Sequence, residues 1–343
     1  MVNPFYNHRE RRPRAFWRLL LQLALVLGVG FAVGWLASGA LALLGWTPPR
    51  GGGTEILAGP PIFLVTNSAV SLVTVVASMW LAGRFLDRRP FSGFGLMLDR
   101  DWWLDFCFGL ALGALLMTGI FLVERAAGWV TVAGTFEAVG GGAFFPTILM
   151  PLVLFLCVGI SEEMLSRGYQ ITNLAEGLNF PGLGGPKVAV LLAWVISSSL
   201  FGLGHLGNPN ATVVSTLNIA LAGLLLGIGY VLTGRLAIPI GLHITWNFFQ
   251  GNVFGFPVSG LEPVGATVLS IEQGGPLLFT GGVFGPEAGL IGIAAVLAGS
   301  LLTALWVRAR FGKAAMETSI AEPPGFTRGK LPATGAAPNS ASR

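Results

Sequence analysis

Charge is scarce in this chain. Asp, Glu, Lys and Arg make up 10% of its 343 residues, against about 25% in a typical soluble domain. That scarcity excludes an ordinary water-soluble globule. Cysteine is nearly missing. Cys107 and Cys157 both lie within apolar runs without metal-ligand spacing, which argues against a disulfide framework or a zinc–thiolate site. They read as small buried hydrophobes. Histidine occurs three times, and no His-Glu-x-x-His pair falls on one helix. The pI near 9.5 needs no nucleic-acid partner, because contact with anionic lipid headgroups accounts for it.

What is present is hydrocarbon, at 53% of the residues. Runs of about 20 apolar residues, the length of a bilayer-spanning helix, lie near 16–44, 61–83, 103–123, 144–168, 188–206, 211–232, 236–254 and 286–307. The expectation is an all-α polytopic bundle of about eight transmembrane helices. Residues 1–15 form a basic leader, 16–313 a single membrane domain, and 314–343 a disordered tail rich in Pro, Gly, Ser, Ala and Thr. The basic flank before residue 16 resembles a signal peptide. The run behind it is too long for one and has no clear cleavage site, so it reads as a retained first helix.

With the amino terminus placed in the cytoplasm, 18 of the 20 Lys and Arg residues fall on that side, leaving Arg50 and Arg125 outside. Both termini are therefore expected in the cytoplasm, and the chain in the plasma membrane. The tail contains Leu331-Pro332-Ala333-Thr334-Gly335, a sortase-like run that lacks the following hydrophobic segment and reads as coincidence. Small-residue pairs four apart, Gly30 with Gly34, Gly109 with Gly113 and Gly223 with Gly227, permit close helix crossings. They read as packing within one bundle; the oligomeric state leaves no mark. Loops 45–60 and 255–285 are long, rich in Gly and Pro, and carry no clear pattern.

Against this background three clusters of polar groups stand out. Ionisable side chains in hydrocarbon are expensive and mark functional sites or specific bundle contacts. The first is Ser161-Glu162-Glu163-Met164-Leu165-Ser166-Arg167. Four residues apart on a helix, Glu163 and Arg167 can pair. Glu162 points about 100° away and is left without a local partner, as suits a general base. The bland alternative is an end-of-helix ion pair with a solvated neighbour. The second cluster ends at His205, and the third joins His243 to Asn247 on one face. An imidazole and an amide aimed at one point suit an oxyanion or a held water. Alone, each histidine could equally be an interhelical hydrogen-bonder.

Glu-Glu-x-x-x-Arg, Phe-x-x-x-His and His-x-x-x-Asn, in that order on separate apolar segments, resemble the CPBP family of intramembrane proteases. That family takes in the type II CAAX prenyl proteases and bacteriocin-processing and immunity proteins. The resemblance covers about 144–254. It implies that Glu162 activates water with help from His205, that Glu163 and Arg167 support the site, and that His243 and Asn247 hold the scissile carbonyl. It implies a peptide substrate near the membrane, lipidated or not. Ser166 departs from the aromatic residue that many members place before the motif arginine, a position read as packing.

A metal is left open. Glu162, His205 and His243 would supply three ligands for zinc, but the same residues serve a metal-free mechanism, which is the preferred reading. Two other functions compete: a proton-coupled transporter, disfavoured because no inverted repeat is visible, and a non-catalytic immunity or scaffold protein. One geometric condition applies. If helix 4 stops at Arg167, Glu162 sits at its inner end while His205 sits at the outer end of the next helix, so helix 4 must continue to about Leu174, or helix 5 must be short, tilted or preceded by a re-entrant segment. The four groups are then expected to converge within about 8 Å, the scale of a shared water plus hydrogen-bond reach.

Overall fold

A computed structural model describes residues 3–46, 61–138, 141–180 and 182–324. Loop 45–60 beyond Trp46 and the tail from 325, with its sortase-like run, lie outside the described residues. The helices in chain order are α1 (Ala15–Leu43), α2 (Pro61–Asp87), α3 (Arg100–Ala126), α4 (Phe144–Leu178), α5 (Pro186–Gly204) and α6 (Val213–Thr233). Then follow α7 (Ala237–Phe248, prolonged by a π-helical turn Phe249–Val253) and α8 (Leu290–Phe311). The chain is an all-α polytopic membrane bundle.

Seven of these helices are long and apolar enough to cross a membrane, one fewer than expected. The exception is α7, whose residues from Ala237 to Asn247 are all buried except Thr245. Enclosed by α3, α4 and α6, it meets protein where the others meet lipid and has no need of spanning length.

The outermost helix is inside-out by the standards of a soluble protein. α1 buries Arg18 and Gln22 and exposes Leu27, Phe31 and Trp35. Only a hydrocarbon solvent makes that arrangement favourable, since an apolar group at the surface then costs nothing and a charged one must turn inward.

Glycines set the depth of packing around α7. A methyl group on Gly109 or Gly113 would run into the α7 backbone at Ile238 and Leu242, and one on Gly241 would strike α3 at Phe106 and Leu110. Gly223 and Gly227 likewise meet Ser198 and Trp194 of α5, and Gly30 and Gly34 meet Thr74 and Val70 of α2. The small-residue pairs serve contacts within this bundle.

Not everything outside the helices is loop. β1 (Tyr6–Asn7) pairs with β2 (Arg12–Pro13). β3 (Val130–Ala138) pairs antiparallel with β4 (Ala266–Gln273), Val130 opposite Gln273 and Ala138 opposite Ala266. Half of this ribbon lies in the segment 255–285 that shows no pattern in sequence.

The two ends of the described chain share one face of the bundle. There Glu176 accepts from Arg18 at 2.7 Å and from Arg89 and forms an ion pair with Arg12 at 2.8 Å, while Arg18 lies 3.5 Å from Asp87. The basic leader is therefore docked through a buried Arg12. The first part of the segment expected to be disordered is also placed. Glu317 N donates to Val231 O at 2.8 Å, Asn179 donates to Ala321 O at 3.0 Å, and Ile320 and Ala321 are buried. Alternation of the helices puts residues 127–138, 205–212 and 254–289 on the opposite face.

Candidate active site

α4 does not stop at Arg167. It runs on to Leu178, through a π-helical stretch at Met164–Ile171, which is the continuation that the sequence required. Glu162 and Glu163 therefore stand near the middle of the helix. The π stretch begins directly after them, a placement common at functional sites. It leaves Ser166 buried, with its carbonyl accepting from Ser197 Oγ of α5 at 2.8 Å.

The acidic pair divides. Glu163 is fully buried, and its Oε1 accepts from Arg167 Nη1 at 3.0 Å and from His243 Nδ1 at 2.8 Å. Arg167 Nη2 donates to Gly223 O at 3.0 Å, and its guanidinium lies 4.4 Å from the centre of the Phe201 ring. Two close crossings make this possible. Gly159 lets α4 press against Ile244 of α7, and Gly223 lets α6 press against Ser198 of α5. Glu162 makes no hydrogen bond to the described residues and keeps 36% of its side chain accessible, with Oε2 4.0 Å from His243 Nε2.

The hydrogen bonds also assign tautomers. A carbonyl or carboxylate can only accept. His205 Nδ1, 2.8 Å from Phe201 O, must therefore carry a proton, and so must His243 Nδ1 on Glu163. Each ring keeps Nε2 for other partners. The Asn247 amide makes no hydrogen bond to the described residues.

Glu162, His205, His243 and Asn247 all line one cavity of about 360 Å³. His205 closes the end of α5, and the other three come from α4 and α7, so the condition on depth is met by the length of α4. The remaining walls are mainly apolar, with Phe155, Ile219, Leu225 and Trp246 among them, as expected of a small-ligand site.

Several residues in and around the cavity wall were not legible as site residues. Glu287, just before α8, accepts from Trp246 Nε1 at 3.3 Å and from Ser259 N at 2.7 Å and Oγ at 2.9 Å. Gln250 donates to Pro257 O at 2.6 Å, and Asn252 donates to Val264 O at 2.8 Å and Ala266 O at 2.6 Å. Asn208 donates to Ser259 O at 2.9 Å. Together these pin segment 257–266 over the cavity. A lone carboxylate opening the last apolar run was the one signal available for Glu287.

Zinc does not fit the residues as placed. Among the described residues, no group of three His, Cys, Asp or Glu is arranged to hold a metal ion.

Residues 144–249 match the family model described as Type II CAAX prenyl endopeptidase Rce1-like. The chain is also similar to the uncharacterized protein YyaK of Bacillus subtilis (strain 168), with 23% identity over 200 residues, 57% of this chain and 62% of that protein. The chain thus spans less than two thirds of the relative's length. No solved structure matches the chain. The stretch that supplies Glu162, Glu163, Arg167, His205, His243 and Asn247 thus lies within the residues, 144–249, that are similar to type II CAAX prenyl endopeptidases of the Rce1-like kind.

Proposed function

We propose that this membrane protein is an intramembrane endopeptidase that hydrolyses a peptide bond of a membrane-proximal segment with water activated by Glu162. The observation that carries the reading is the convergence of Glu162, His205, His243 and Asn247 on one cavity. A water held between Glu162 and His205 Nε2 would direct both its hydrogens to acceptors, leaving a lone pair for the carbonyl carbon. Glu162 takes the proton as the C–O bond forms and returns it to the leaving nitrogen as the C–N bond breaks. The oxyanion accepts from Asn247 Nδ2, and from His243 Nε2 when that ring is doubly protonated. Glu163 and Arg167 act one step removed, fixing the His243 ring as a carboxylate fixes a catalytic imidazole.

The family's description names CAAX prenyl endopeptidases, so a prenylated tail is one substrate to try. The test is incubation of the purified protein with farnesylated and unlipidated peptides, comparing wild type with Glu162→Ala and His205→Ala, with and without chelator. Loss of cleavage in both variants, with chelator inert, supports the reading. Cleavage that survives Glu162→Ala removes the base, and chelator inhibition reversed by zinc would replace the metal-free mechanism. Proton-coupled transport by the same groups predicts no cleavage at all and pH-driven uptake in vesicles.

A further inference from the structure

We infer that the cavity is entered from the face opposite the termini and that this face is extracytoplasmic. The substrate is then an internal segment of an exported or membrane-anchored polypeptide presented from outside. This rests on the protease reading for the reaction, but not for the direction of access.

Three observations meet. The cavity's non-helical wall comes from one side only: Ser259 and Glu262 in segment 254–289, and Asn208 in segment 205–212, all belong to the face away from the termini. Toward the termini the cavity floor is closed. Past Glu162, α4 continues toward the termini with buried side chains: Met164, Arg167 paired to Glu163, and Tyr169, none of which lines the cavity.

Charge then orients the faces. Apart from the buried Arg167, every described Lys and Arg except Arg125 lies on the face of the termini or within the helix turn leading to it. The opposite face carries Glu137, Glu262 and Glu272. Lys and Arg are retained on the cytoplasmic side of bilayers. The cavity mouth is therefore outside.

The lining adds a constraint on the substrate. No Lys or Arg lines the cavity, whereas Glu162, Glu262 and Glu287 do. A free C-terminal carboxylate would find no Lys or Arg there and three carboxylates to repel it, which makes its desolvation costly. An internal bond carries no such penalty. Cytoplasmic prenylated tails would be on the wrong side of the membrane altogether.

The test is labelling of single cysteines in the full-length protein in bacterial spheroplasts, with Cys107→Ser and Cys157→Ser as background and a small membrane-impermeant thiosulfonate as probe. Leu261→Cys, on the cavity wall, and Glu272→Cys, on the exposed side of β4, are expected to label completely before permeabilisation. Arg9→Cys and Lys313→Cys should label only after it. The reverse pattern overturns the inference, as does Leu261→Cys labelling only from the cytoplasmic side while Glu272→Cys labels from outside. Labelling needs no turnover, so a protein that cleaves nothing yet labels as expected refutes the protease reading and leaves the direction of access standing.

Discussion

Replacing Arg167 with Met should separate the support of the site from its chemistry. The guanidinium is fully buried, bound to Glu163 and Gly223 O and stacked on Phe201. Arg167→Met keeps most of the volume and strands the Glu163 carboxylate with only His243. Removing one partner of a buried pair costs about 3–5 kcal/mol, and the lost contact with Phe201 adds about 0.5–2 kcal/mol. Against a total stability of about 5–15 kcal/mol, that is a large fraction. The double variant Glu163→Gln with Arg167→Met removes both charges together, and the introduced amide oxygen can still accept from His243 Nδ1. It should therefore recover most of about 3 kcal/mol relative to Arg167→Met, because replacing a buried pair by apolar groups is often near neutral. The assay is reversible denaturant unfolding of the purified protein in micelles, read as a double-mutant cycle. An Arg167→Met protein within about 0.5 kcal/mol of wild type, below what a buried pair is worth, would refute the buried-charge argument. A double variant as unstable as the single would show that the loss was packing alone.

Asn247→Ala should leave the thermal midpoint unchanged, since its amide bonds to nothing described, yet lower kcat by roughly 10²–10³, the value of one oxyanion donor; an unchanged kcat removes it from the mechanism. Gly113→Ala should destabilise the bundle by about 1–3 kcal/mol, because its methyl would meet the α7 backbone, whereas Gly119→Ala, with open space beside it, should be neutral. Equal midpoints for the two would show that α3 and α7 do not need their close approach. Asp99, the N-cap of α3, has its carboxyl held below the usual range, first by the Trp102 backbone N–H and also by Arg235. A depressed folded-state pKa contributes stability that is present above the unfolded value and lost as pH falls through the folded one, so the midpoint should fall below about pH 4. Asp99→Asn should flatten that acid limb, and an unchanged limb would remove Asp99 as its source.

Much of this was written locally in the chain. Apolar runs located all eight long helices, because a bilayer-facing segment cannot hide its composition. The four-residue spacing of Glu163 and Arg167 gave their pairing, and the odd offset of Glu162 gave its freedom. What sequence could not give were contacts between residues far apart in the chain. Nothing near His243 announces that Glu163, 80 residues earlier, accepts its Nδ1 proton. α7 was counted as a membrane span because hydropathy is the same whether a helix faces lipid or other helices. β4 was missed because its partner β3 lies more than a hundred residues away, and a short strand has no periodicity strong enough to stand alone. Gln250, Asn252 and Glu287 matter only through loop carbonyls and amides that folding brings to them.

The π-helical stretch in α4 also works as a gear tooth between two ends of the molecule. Wide turns of this kind behave as a helix carrying one residue too many. Were the same residues to wind as regular α-helix at unchanged length, everything beyond would rotate by about 100°, one residue's share of a 3.6-residue turn. Glu176, 13 residues past Glu163, would swing away from Arg12, Arg18 and Arg89. The acidic half of α4 and the anchor of the basic leader are thus phased by one wide turn, whose surplus residue sets how the two ends of the helix face.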